Sequence, residues 1–171
     1  TFGGRVDAAT QIKDAILDSK VPTVAFINKR AISAGALISL SCEKIYMTGG
    51  ATIGATTAVD MSGKKASEKV ISYMREEMAS TAEKRGRNKH IARGMVDEEL
   101  EFPSKVKNEY ITSDKEVDTV KTIIYYLVMD NDTIYVDDIE GRKQGNLITL
   151  TTEQALKYKI ADRSADTFNS V

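Results

Sequence analysis

The sequence predicts an α/β domain assembled from parallel βαβ units. Three observations lead there. Pro22–Ile27 and Lys44–Thr48 are short runs rich in β-branched and aromatic residues, the pattern of buried strands. Helical stretches precede, separate and follow them, as parallel crossovers require. The chain has 171 residues, 42% hydrophobic and 29% charged, enough for one core and ordinary for a globular protein.

Each element has its own signal. Asp7 is read as the N-cap of a first helix, with Ala8, Ile12, Ala15 and Ile16 as its apolar face. A domain rarely starts on a glycine turn such as Thr1-Phe2-Gly3-Gly4, so upstream strands are expected to be missing. Asn28–Ser33 turns the chain, and Ala34–Cys42 reads as a helix of small residues. Gly49-Gly50 and Gly54 bracket an extended Thr52-Ile53 that a ligand backbone could approach closely. After a polar loop, Ser62–Lys65, the longest helix spans Ala66 to Arg85 and stops at Gly86, and a short one covers Asn88 to Met95.

Residues 101–146 have a different texture. Thr119–Met129 and Thr133–Val136 flank Asp-Asn-Asp as the arms of a hairpin do, so 101–146 is read as an insertion into a single domain spanning 1–171. The α/β pattern resumes with a strand at Leu147–Leu150. A helix from Thr152 to Lys159 follows, its Thr151-Thr-Glu-Gln at capping-box spacing.

Composition also excludes functions. With 24 Lys+Arg against 25 Asp+Glu the net charge is -1, so no global field recruits nucleic acid. One cysteine, Cys42, and one histidine, His90, exclude a disulfide, a cysteine zinc cluster and a histidine-rich metal site. Neither a metal nor a cofactor is expected. No GxGxxG supports a dinucleotide site. No apolar run approaches the roughly 18 residues of a membrane span.

The candidate chemistry centres on Ser33, in Ala31-Ile-Ser-Ala-Gly-Ala36, at a strand-to-helix junction flanked by residues too small to obstruct approach. Read alone, that serine is better explained as an N-cap whose small neighbours permit close helix packing. His90 sits on a basic, polar stretch, which disfavours a Ser-His-Asp arrangement. Lys69, in the first turn of the long helix, could serve as base once neutral. That asks for a fall from about 10.4 to near 7.5, or about 4 kcal/mol. A helix end supplies about 0.3–1 kcal/mol, so burial must supply most of the rest; the alternative is a solvated lysine like Lys64 and Lys65. Oxyanion donors could come from Gly3-Gly4 and the N–H of Ala34, although Gly-Gly equally serves as a plain turn or an anion nest. Cys42 reads as a buried structural thiol and Asp97–Glu101 as a solvated acidic face.

In order and spacing these pieces resemble a known family. Thr1-Phe-Gly-Gly4, Pro22–Ile27, Ala31–Ala36, Gly50-Ala-Thr-Ile-Gly54, Ser67-Glu-Lys-Val70, Tyr73, Gly86-Arg-Asn88 and Leu150–Tyr158 are similar to the catalytic domain of NfeD-type membrane-bound serine proteases. Those enzymes are relatives of signal peptide peptidase A, with the Clp protease/crotonase-like fold of repeated ββα/βαβ units. Phe2 departs from the family's usual proline, and 101–146 is longer than the pattern expects.

The resemblance implies a Ser–Lys dyad, with Ser33 as nucleophile and Lys69 as general base. It implies an oxyanion hole from the Gly4 and Ala34 N–H groups. Gly50, Ala51, Thr52, Ile53 and Gly54 would lie along an extended substrate. The implied substrate is a polypeptide, a hydrophobic segment of a stomatin-like membrane protein, and the implied assembly a homo-oligomer, dimer or higher. The full-length protein would be membrane-tethered with its catalytic domain extracytoplasmic, this chain being a soluble piece of it. Two rival functions use the same scaffold: a non-catalytic module that binds or scaffolds partners, and an acyl-CoA enzyme of the crotonase type.

Overall fold

A computed structural model describes residues 3–59, 64–113, 116–129, 131–139, 141 and 143–167, with the backbone alone for 109–113, 116–118 and 129. Thr1, Phe2 and Ser62 lie outside the described residues. The chain is mixed α/β. Its first half runs α1 (Val6–Leu17), β1 (Val24–Ile27), β2 (Arg30–Ile32), α2 (Ala34–Ser41), β3 (Lys44–Met47), β4 (Thr52–Gly54), α3 (Glu68–Lys84) and α4 (Lys89–Gly94). Then come β5 (Ser104–Ser113), β6 (Glu116–Met129), β7 (Asp132–Tyr135), β8 (Thr149–Thr151), α5 (Thr152–Lys157) and β9 (Arg163–Ser164).

Two successive ββα units are visible, β1-β2-α2 and β3-β4-α3. Each sends its first strand to one sheet and its second to another. β1, β3 and β9 form a parallel sheet in that order. β4 lies between β2, parallel to it, and β8, antiparallel. α2 is apolar around most of its circumference and lies in the core, with Ala36, Leu37 and Leu40 fully buried. Its hydroxyls are absorbed internally: Ser39 Oγ donates to the Gly35 carbonyl at 2.7 Å and Ser41 Oγ to that of Ile38 at 2.6 Å.

Several expectations hold. The short helix expected at Asn88–Met95 is α4, and Asn88 is its N-cap, its side chain accepting from the N–H groups of His90 and Ile91. Thr151 and Gln154 form the reciprocal capping box that starts α5. Thr119–Met129 and Thr133–Val136 fall on the antiparallel pair β6–β7. Others are corrected. Arg5, not Asp7, occupies the N-cap of α1, because the helix begins two residues early and Asp7 turns back to Arg5. The α1 face that meets the core holds Ala9 and Lys13, while Ala8, Ile12 and Ala15 are exposed. Asn28–Ser33 contains a strand, β2, and 101–146 carries a further ten-residue strand, β5, paired along its whole length with β6. The acidic stretch is solvated only in part: Glu99 and Glu101 are exposed, but Asp97 is buried against Arg75, and its carboxylate accepts the Glu99 N–H at 3.0 Å.

The β5-β6-β7 sheet leaves the body after α4 and comes back at β8. Ile148 N–H donates to the Gly94 carbonyl at 2.8 Å, and Gly145 N–H to that of Glu98 at 2.6 Å. Tyr125, Leu127, Val136 and Ile139 root the sheet in the core. Farther out, the cross-strand pair Val106 and Ile123 is exposed at 61% and 57%.

Arg87 fastens the other side. Its buried guanidinium donates to the carbonyls of Leu40, Cys42, Glu43 and Ile160 and to the Asp162 carboxylate. The end of α2, the start of β3 and the stretch leading to β9 thus converge on one cation. Cys42 lies beside it, and burial pushes its thiol above the ordinary value, as suits a structural cysteine.

Candidate active site

Ser33 occupies the junction between β2 and α2 with φ 58 and ψ -122, a backbone region that side-chain-bearing residues seldom enter. The surroundings enforce it. Ser33 N–H is tied to the Gly54 carbonyl of β4 at 3.1 Å, while its own carbonyl accepts from Ala36 N–H at 2.8 Å and starts α2. A strand end and a helix start pinned on both sides leave the residue between them to absorb the bend. The side chain is thereby pushed outward at the N-terminus of a helix, where negative charge is favoured.

Gly3 and Gly4 lie directly over this junction. Gly3 has φ +115, and a Cβ built on it would stand 3.0 Å from Ser33 Cβ and 3.2 Å from Ser33 Oγ. A Cβ on Gly4 would meet Ala34 Cβ at 3.8 Å. Among the described residues, neither the Gly4 N–H nor the Ala34 N–H donates to another backbone group. Donors that reach no backbone acceptor among the described residues, beside a strained serine, are the kind of group an oxyanion site needs.

A cleft of about 1150 Å³ opens at this point. Its walls are Gly4 and the first turns of α1, Ser33 and Ala34, residues 56–59, and Tyr73 and Met74 of α3. The α1 wall opens with an ion pair in which Arg5 holds the Asp7 carboxyl below its ordinary range. The 56–59 wall is held in place from behind, Thr56 N–H donating to the Met95 carbonyl and Ala66 N–H to that of Ala58. Sequence reasoning missed this wall; its only signal was an extended run continuing past Gly54.

Lys69 lies in the first turn of α3, one turn before Tyr73 and on the same helix face. It is exposed rather than buried as expected, and among the described residues no hydrogen bond joins it to Ser33. The first buried residue of α3 is Ile71. The 50–54 stretch sits differently from the expectation. Thr52, Ile53 and Gly54 are β4, and both edges of that strand are taken, by β2 and by β8. A peptide backbone has no free edge to pair with there. Gly50 is an exposed turn residue and Ala51 is fully buried. The observed task of β4 is to hold Ser33 through the Gly54 carbonyl. Gly54 has φ +142, and a Cβ on it would overlap the Ile148 carbonyl. His90 is exposed and lies outside the cleft.

Comparison with known proteins adds the following. Residues 1–122 match the family model described as NfeD1b, N-terminal domain. The chain is 30% identical over 171 residues to the membrane protein NfeD1b of Bacillus subtilis, covering all of this chain and 31% of that protein. It is 32% identical over 108 residues to the membrane-bound protease PH1510 of Pyrococcus horikoshii, covering 58% of this chain and 24% of that one. The chain therefore spans about a third or less of these relatives. Among solved structures, it shares its fold with a lysine-to-alanine mutant of the 1510-N membrane-bound stomatin-specific protease in complex with a substrate peptide. The TM-score is 0.65 at 24% identity, over 98% of this chain and 58% of that one. A serine-to-alanine mutant of the same protease gives a TM-score of 0.64 at 24% identity, over 99% and 62%. Both relatives are membrane proteins by name, and no helix among the described residues is long and apolar enough to cross a membrane.

Proposed function

The chain belongs to the NfeD1b N-terminal domain family, and on that premise we propose that it is the catalytic domain of a serine endopeptidase with a Ser–Lys dyad. The observation that carries the reading is Ser33, held at φ 58 at the wall of a cleft that Gly4 and Ala34 also line. Ser33 Oγ attacks the peptide carbonyl carbon while neutral Lys69 Nζ takes the hydroxyl proton. The Gly4 and Ala34 N–H groups stabilise the oxyanion. Lys69 then returns the proton to the leaving amine, and water hydrolyses the acyl-enzyme with Lys69 again as base.

In this reading the fold is Clp protease/crotonase-like, supported by the two ββα units, and 101–146 is an insert in one protease domain. The substrate is a polypeptide, a hydrophobic segment of a stomatin-like membrane protein, and the active form is a homo-oligomer. The whole protein is membrane-tethered with this domain extracytoplasmic. The largely apolar cleft and the name of the related 1510-N protease support the substrate class. Backbone pairing of the substrate along Thr52–Gly54 has no place in this reading, because both edges of β4 are taken.

One observation favours a second reading, a non-catalytic binding module: Lys69 is exposed and does not engage Ser33. A fluorophosphonate probe applied from about pH 6 to 10, with adduct mapping by mass spectrometry, separates the two. Labelling at Ser33 that rises with pH and disappears in Lys69→Ala is expected of the peptidase. A Ser33 that stays unlabelled, or one that labels equally well in Lys69→Ala, overturns the dyad.

A further inference from the structure

Lys13 is a lysine at 7% exposure that the proposed chemistry does not use. It lies one turn beyond Ala9 and Thr10, which line the α1 wall of the cleft, and it points toward α3. There its Nζ meets Glu77 Oε2 at 2.5 Å, with Asp14 at 2.9 Å as a second partner. Glu77 in turn lies one turn beyond Tyr73, which lines the α3 wall, and two turns beyond Lys69. The ion pair therefore joins the two helices one turn beyond the residues that line the cleft, without lining it. Among the described residues the other direct polar link between these two helices is at their far ends, where Arg85 donates to the Ile16 carbonyl at 3.3 Å.

We propose that the Lys13–Glu77 pair is the strut that sets the separation between the oxyanion turn and the general base, making Lys13 a positioning residue for hydrolysis; this rests on the peptidase reading above. α1 begins two residues after Gly4, and α3 begins one residue before Lys69, so whatever fixes one helix against the other fixes donors against base. Stability alone is a poor reason for the pair. Replacing a buried ion pair with apolar residues of similar volume is often neutral or favourable, whereas an ion pair fixes distance and direction. Position is what this chemistry demands, since a displacement of about 1 Å can cost about 100-fold in rate.

The test is saturation kinetics of Ser33 labelling by a fluorophosphonate on the full chain, with labelled Ser33 counted per folded molecule. Lys13→Met is expected to lower the limiting rate about tenfold to 100-fold while the half-saturating probe concentration stays within about twofold. Lys13→Arg, which keeps the ion pair, is expected to recover the rate. Glu77→Gln gives the same comparison if Lys13→Met does not fold. An unchanged limiting rate per folded chain, with only the melting temperature lowered, overturns the inference, as does a Lys13→Arg rate as low as that of Lys13→Met. Absence of labelling in the unmutated chain is a different failure: it removes the peptidase reading itself, and the inference with it.

Discussion

Gly3 lies so close to Ser33 that a single methyl group on the glycine would stand 3.2 Å from the serine oxygen. Gly3→Ala adds that methyl group and also asks an L-residue to adopt φ +115. Displacing an oxyanion donor typically costs 100-fold or more, so kcat is expected to fall by about 100-fold or more. Gly49→Ala is the control, because a Cβ there meets nothing within 4 Å. Peptide turnover and thermal melting of both variants check this: Gly49→Ala keeps both, and Gly3→Ala loses the first.

Ser33→Gly tests the strain itself. A non-glycine residue in a sparsely populated region costs about 1–3 kcal/mol, offset in the variant by the greater freedom of glycine in the unfolded chain. A net gain of about 1 kcal/mol raises the melting temperature by about 2–4 °C in a chain of this size. The variant is expected to melt higher and to cleave nothing. Calorimetry reads the first effect, and a lower melting temperature contradicts strain at this position.

Arg87→Met removes the donor on which four carbonyls and the Asp162 carboxylate converge. Buried acceptors left without a partner are expensive, and the loss is expected to be about 3 kcal/mol or more. Urea unfolding measures it, with an unchanged slope if the unfolded ensemble is the same.

Asp162 gives the fold a dependence on acid. Burial would raise its pKa, but the Ile45 N–H, Lys44 and Arg87 outweigh that and hold it below the ordinary value. A carboxylate depressed in the folded state contributes stability above its unfolded pKa of about 3.9, lost as pH falls through the lower folded value. Asp162→Asn is therefore expected to be less stable than the unmutated chain at pH 6, with the gap narrowing toward acid. Melting curves between about pH 2 and 6 test this; a gap that widens on acidification contradicts it.

Much of this arrangement was legible in the sequence because local chemistry decided it. Asn88, Thr151 and Gln154 act on N–H groups two or three residues away, and β6–β7 turns within a few residues, so pattern and outcome coincide. The strands that escaped notice were decided at long range. β2 is three residues long, begins with Arg30, and is a strand only because Thr52–Gly54 lies beside it. β5 is mostly polar, with Lys105 and Lys107 on either side of Val106, and takes its order from β6. α1 misled for a related reason: its strongest apolar spacing, Ala8-Ile12-Ala15, faces outward, while the core side accepts Lys13 because Glu77 is there to receive it. The site divided along the same line. Ser33 at a junction was readable from small neighbours, but its backbone angle needed Gly54 and the exposure of Lys69 needed the course of α3.

The hydrogen bond between Ile148 and Gly94 makes the β5-β6-β7 excursion leave and return through one doorway. Whatever lies beyond a doorway can be lengthened, trimmed or exchanged like a cassette, provided the residues that root it in the core are kept. Neither Ser33 nor the Gly3-Gly4 turn belongs to that part of the chain. A change in the length or surface of the outlying sheet therefore need not disturb the backbone that holds Ser33 against Gly54 and Gly3.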